Sequence, residues 1–163
     1  MESRTNESVA SPLARTGGGE RGTDVLARPT AVNGQHTTSV GSLAGLRGMR
    51  RSIAAWLGEY GLDDPLYVAD VQLAAVEIVT NAFVHSSAGS VDVSLQIVDD
   101  HIVTTIEHSS SIPTPIHTAT ALPGDDSVSG RGLFMVDQIA RARTVCHVGG
   151  SSVIRLDIDL PSP

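Results

Sequence analysis

The chain has no lysine: all eleven of its basic residues are arginine, against eighteen carboxylates. That absence excludes any chemistry that needs a lysine amine, whether a Schiff base or the phosphate-clamping lysine of a Walker-A loop. The formal net charge of -7 also argues against nucleic acid as a partner, because phosphate backbones are bound by clustered cations. Cysteine is nearly absent. Cys146 stands alone, so no internal disulfide forms, which suits a reducing cytoplasm, and it reads as a small core residue. The aromatic side chains are few (Trp56, Tyr60, Tyr67, Phe83 and Phe134), so the core must be built mainly from Val, Leu, Ile and Ala. No uninterrupted apolar run approaches the ~20 residues of a membrane span. The opening MESRTNESVA lacks the apolar stretch of a signal peptide. The expectation is a cytoplasmic protein with neither a membrane nor a nucleic-acid partner.

The 163 residues divide by composition. Residues 1–38 hold GGGE, scattered Ser, Thr and Arg, and no aromatic, too little apolar surface to offset the entropy of ordering; they read as a disordered tail. Residues 39–163 read as one domain. GSLAGLRGMRRSIAAWLGEYG carries Leu43, Leu46, Ile53, Trp56, Leu57 and Tyr60 near helical spacing, with Gly61 as a stop. A second helix follows, LDDPLYVADVQLAAVEIVTNAFVH, capped by Asp63 or Asp64 with Pro65 in its first turn. SVDVSLQIV and HIVTTIEH alternate with period two around Asp99-Asp100 and predict a hairpin. The stretch from Ser109 to Ser129, rich in Ser, Thr and Pro, is a long loop of the kind that is either a lid or disordered. GRGLFMVDQIA predicts a short helix, and RARTVCHV and SSVIRLDIDL predict two strands around Gly149-Gly150. The order ααββ, loop, αββ implies a two-layer α+β fold with helices on one face of a largely antiparallel mixed sheet.

Two features of this pattern bear chemistry. Within VEIVTNAFVH, the side chains of Glu77, Asn81 and His85 fall one helical turn apart and span roughly 80° of the surface. The opposite stripe is Val71, Ala75, Ile78 and Ala82. A polar row is ordinarily a solvated face. Here Leu73 and Val84 share the sector and no Lys or Arg does, which equally suits the wall of a partly buried pocket. A carboxylate one turn from an amide supplies oxygens for a divalent ion and a group that polarises a hydroxyl or water. The second feature is SGRGLFMV, where Gly130 and Gly132 flank Arg131 at a helix start. Such a turn lets backbone N–H groups approach an anion, to which Arg131 adds a fork of donors; a plain loop-to-helix junction uses the same glycines. Three further histidines, His101, His117 and His147, have no neighbour at metal-ligand spacing.

E-I-V-T-N-A-x-x-H, then a hairpin, a long loop and G-R-G-L-x-x-V, resembles the GHKL (Bergerat-fold) ATPase superfamily over roughly residues 39–160. Within it, the chain is most similar to the anti-sigma-factor serine kinases of Gram-positive bacteria and their actinobacterial relatives. The resemblance implies a two-layer α/β sandwich binding ATP and Mg²⁺. It implies that Glu77 is the general base or water-orienting group and that Asn81 binds the metal. It further implies that Gly130, Arg131, Gly132 and Leu133 wrap the phosphates beneath a lid, with His85 as a further match of less defined role. A sigma factor, a STAS-domain antagonist and a second copy of the chain are the implied partners. The pattern departs from the family at one place. Where an Asp followed by a glycine turn accepts the adenine amino group, this chain has IEHSSSIP, with His108 in the Asp position. Loss of a charged acceptor in a buried site costs about 1.5–3 kcal/mol, ten- to a hundred-fold in affinity. The expectation is therefore a partner-switching regulator with ATP binding weak or lost, and the alternative is an active ATP-dependent serine protein kinase.

Overall fold

A computed structural model describes residues 34–86, 88–110 and 131–162. Their architecture is two-layered. Five strands, in the order β1-β2-β3-β5-β4, form one sheet, and three α-helices lie against it. The strands are β1 (Gln35–Val40), β2 (Val91–Val98), β3 (His101–Ser109), β4 (Ala142–Val148) and β5 (Ser151–Asp159). The helices are α1 (Leu46–Glu59), preceded by a 3-10 turn at Leu43–Gly45, α2 (Pro65–His85) and α3 (Arg131–Ile139). The expected antiparallel character holds throughout the described sheet, since every strand pair in it is antiparallel and none is parallel.

Local chemistry explains most element boundaries. Asp64 caps α2, its carboxylate accepting from Leu66 N at 3.0 Å and Tyr67 N at 2.9 Å, with Pro65 in the first turn. Gly61, at φ +68°, ends the α1 segment in a conformation that disfavours a side chain. Asp99 takes φ +50° in the β2–β3 turn, and Gly149 and Gly150 both take positive φ between β4 and β5, the combination that tight hairpins require. On β2, Val91, Val93, Leu95 and Ile97 are buried in alternation and face the helices; Ile102 and Ile106 on β3 and Ile154, Leu156 and Ile158 on β5 continue that layer. Met49, Ile53, Trp56 and Leu57 of α1 and Val71, Ala75, Ile78 and Ala82 of α2 close it from above.

Three expectations are corrected. Strand β1 begins at Gln35, inside the segment read as a tail, so the composition boundary at residue 38 falls within a strand. QHTTSV has one apolar residue to advertise it; its inward His36 stacks on Trp56 (centroids 6.0 Å apart) and pairs with Ser52 Oγ at 2.6 Å. Cys146 is exposed rather than in the core, because it lies on the outer face of the edge strand β4. Finally, α2 is long and apolar enough to cross a membrane by length and composition. Its interruptions by Asp70, Gln72 and Glu77 hid that from a search for unbroken runs. In this fold it is the core helix, with Val71, Ala74, Ala75 and Val79 fully buried.

The fold also orients α2 over the sheet. Strand β2 begins shortly after α2 ends, so the C-terminal half of the helix lies at the end of the sheet where Val91, His108 and Ser152 stand side by side. Its first turn lies at the opposite end, where Tyr67 is close enough to Asp159 that, beyond burial itself, the carboxylate helps push the phenol up in pKa.

Candidate functional site

Glu77 and Asn81 are half-buried on one side of α2, among neighbours (Val76, Ile78, Val79, Ala82) that are fully buried. What covers them is α3. Gly132 packs directly on the Glu77 side chain: a Cβ at position 132 would lie 2.7 Å from Glu77 Cδ and closer still to Oε2. Only glycine fits there without displacing the carboxylate. The two features that sequence treated separately, the polar row and the glycine turn, are thus one place in space. Leu133 packs its partly buried side chain against the core and anchors the start of α3, and Arg131 stands exposed at its first residue. His85 is exposed at the last turn of α2, so it does not share the enclosure of Glu77 and Asn81. Ser109, expected in the loop, ends β3 instead; Gly130 and residues 111–129 of the expected lid, including His117, lie outside the described residues.

The position of α3 is secured from its far end. Arg143 on β4 grips Asp137 with Nε at 2.7 Å and Nη2 at 3.0 Å, a bidentate pair whose arginine side chain is 5 % exposed. This holds the helix carrying Gly132 to the sheet.

The floor of the site is the row across the sheet formed by Val40, Val91, His108, Ser152 and His147. This helix-facing layer is mostly apolar, with Thr104 (0 % exposed), His108 (5 %) and Ser152 (2 %) as buried polar residues in it. His108 Nδ1 lies 3.1 Å from the Ser109 carbonyl, which can only accept, so Nδ1 carries the hydrogen. Ser152 Oγ bonds His147 Nδ1 at 2.8 Å. Neither Ser152 nor His147 stood out in the sequence; the signal was a Ser on the inward parity of a strand otherwise inward-facing with Ile and Leu. Ser110 N donates to Gly150 O at 2.9 Å, so the chain leaves β3 beside the β4–β5 turn at this same end.

These residues fit a nucleotide and its metal in kind. Gly132 puts no side chain between its backbone and Glu77 at a helix start, the kind of place where backbone N–H groups favour an anion. Asn81 and Glu77 would offer oxygens to a magnesium ion, which is commonly held by one or two protein groups with the phosphates completing its shell. The described residues contain no cluster of three His, Cys, Asp or Glu side chains that could hold a metal. When bound, a nucleotide would supply a transferable phosphoryl group, and Glu77 is the carboxylate of this set that would be available to accept a proton.

Comparison with known proteins gives the same frame. A family described as histidine kinase-like ATPase domain matches residues 41–158. Among solved structures, the chain is similar to the RsbU and RsbW domains of Rv1364c from Mycobacterium tuberculosis, with a TM-score of 0.56 and 19 % identity over 78 % of this chain. The chain covers 33 % of that larger protein, and at this identity the likeness speaks for the fold. Comparison with curated proteins gives no match.

Proposed function

Because this chain belongs to the histidine kinase-like ATPase domain family, we propose that it is an anti-sigma-factor-type regulator working by partner switching in the cytoplasm, with its ATP affinity reduced. A sigma factor and a STAS-domain antagonist are the alternating partners, and the regulator acts as a homodimer. The similarity to a chain that includes an RsbW domain supports the regulatory class. The observation that carries the reduced affinity is His108, a buried imidazole at the position where the resemblance implies a carboxylate.

A second reading is favoured by a different observation. Gly132 at the start of α3 packs against Glu77, which supports the alternative of an ATP- and Mg²⁺-dependent serine protein kinase acting on the antagonist. Calorimetric titration of ATP with Mg²⁺ separates the two. We expect weak binding by the wild type and a gain of about ten-fold or more for His108→Asp, which restores a charged acceptor and removes ring volume. A wild-type dissociation constant of roughly micromolar or below, together with phosphorylation of a STAS-domain serine that Glu77→Gln abolishes, replaces the first reading with the second. Co-purification of the full chain with sigma factors and STAS-domain proteins from the same cells tests partner switching independently of nucleotide.

A further inference from the structure

We propose that the outward face of α2 is a docking surface for one amphipathic helix of a partner protein, acidic along the edge that meets α1. This rests on the partner-switching reading for the existence of a partner, and on nothing in the nucleotide site. A helix that is apolar on all sides is ordinarily buried on all sides. By length and composition α2 is apolar enough to cross a membrane, yet the sheet, α1 and α3 cover only part of its surface. The face left over carries Leu66, Ala69, Leu73, Thr80 and Val84, which follow one another at intervals of 3, 4, 7 and 4 residues. That is the spacing by which one helix offers a seam to another. Leu66 is 78 % exposed and Val84 59 %; Ala69 is exposed, and Leu73 and Thr80 are half-buried. None of the five is charged.

Charge on the two sides of the seam determines what the incoming helix carries. On one side, Gln72 Nε2 donates to the Arg50 carbonyl at 2.8 Å, so α1 lies along that flank. Arg47, Arg50 and Arg51 stand exposed on α1 at i, i+3 and i+4, which is one face of the helix. No carboxylate lies between Leu46 and Gly58, and none of the three arginines has an ion-pair partner among the described residues. In a chain of net charge -7, a cation cluster without a counter-charge is where an acidic edge is drawn in and oriented. On the other side, Asp70 and Glu77 border the seam, with Glu77 against Gly132 of α3. An acidic edge is repelled there, which fixes the way round the incoming helix lies. From Leu66 to Val84 the seam runs about 27 Å, roughly five turns of helix. The occupant is therefore a helix of about that length, with apolar anchors towards the leucines and acids on one flank only.

The test uses the full-length protein and synthetic helical peptides of about 20 residues. One carries leucine at the heptad seam positions and glutamate along one flank, a second has lysine in place of glutamate, and a third has serine in place of leucine. Binding is read by fluorescence anisotropy, with circular dichroism confirming that each protein variant is folded. We expect the glutamate peptide to bind about ten-fold or more tightly than the lysine peptide, and the serine peptide not to bind. Leu66→Ser combined with Val84→Ser alters only exposed side chains and should weaken the glutamate peptide by about ten-fold or more. Arg47→Glu combined with Arg51→Glu should reverse the preference between the two charged peptides. Equal affinity for both, or an undiminished affinity in the Leu66 and Val84 variant, overturns the proposal. So does a wild type that binds no peptide, which is the result if another part of the chain already covers this face. A dimer that the Leu66 and Val84 variant dissociates overturns it as well, because the occupant is then a second copy. If a partner still co-purifies while the peptides fail, this surface is wrong and the partner-switching reading stands; loss of co-purification strikes that reading itself.

Discussion

The two ends of the sheet carry similar residues and treat them oppositely. At the end under the first turn of α2, Arg141 Nη1 reaches Asp159 at 2.9 Å and Asp100 at 3.3 Å, and His101 Nδ1 sits 2.8 Å from Arg141 Nη2 and 3.1 Å from Asp100. The charged groups there are paired, while the Tyr67 hydroxyl beside them is buried without a hydrogen-bond partner. At the end under the last turns of α2, the buried His108 spends one nitrogen on a backbone carbonyl and leaves the other without a described partner. The first end is held by charged pairs between side chains, the second by a histidine bonded to backbone and a serine bonded to a histidine. Arg143 and Asp137 belong with the charged pairs and tie α3 to the sheet.

This division makes substitutions at the two ends distinguishable. The largest effect is expected at Asp137→Ala, which leaves the buried Arg143 guanidinium short of its bidentate partner. Stability should fall by about 3 kcal/mol, read from urea denaturation, and α3 should lose its register against α2. A loss under about 0.5 kcal/mol, the scale of an exposed surface site, would show that the pair is dispensable. Next is Gly132→Ala. The atom in the way is the end of a flexible Glu77 side chain rather than backbone, so the carboxylate is expected to move. The stability cost should stay within about 1 kcal/mol, and it should vanish in a Glu77→Ala background; a cost that persists in the double variant would place the clash elsewhere. The smallest effect is at Asp100. The hydrogen bond with His101, aided by Arg141, holds its carboxyl below the usual carboxylate range. Its stabilisation is therefore present above the unfolded value near pH 4 and is lost as acid titrates the folded group. Asp100→Asn should lower Tm slightly near neutrality, as exposed pairs do, with the difference from wild type closing on acidification. A gap that widens in acid would reverse the sign argued here.

How much of this was legible in the chain depended on whether a residue's role was local. Asp64, Pro65, Gly61 and the Gly149-Gly150 turn act within a few residues of themselves, and the boundaries they imply stand in the structure. The hairpin at Asp99-Asp100 was equally readable, because burial alternates cleanly on β2. Strand β1 was not, since its pairing with β2 lies across the whole helical region and its own residues are Gln, His, Thr and Ser. The same reason hid Ser152 and His147: only cross-strand register puts them in a row with His108. Cys146 misled because inward and outward parity on an edge strand cannot be assigned without knowing which face the helices cover. Glu77 and Asn81 were identifiable by spacing, but the partner that gives Glu77 its setting, Gly132, was found as a separate motif and joined to it only by the packing of α3 on α2.

The strand order also dictates how the chain must find this structure. Strands β2 and β3 are joined by a two-residue turn, and so are β4 and β5, so each pair is a hairpin able to form on the microsecond scale. The seam between them, β3 against β5, is the longest register in the sheet, and it joins segments separated by α3 and everything before it. The entropy of closing that separation is spent before any of its ladder bonds is gained. Folding should therefore be gated at that central seam rather than in either hairpin, and the His108–Ser152 pairing should be among the last to form.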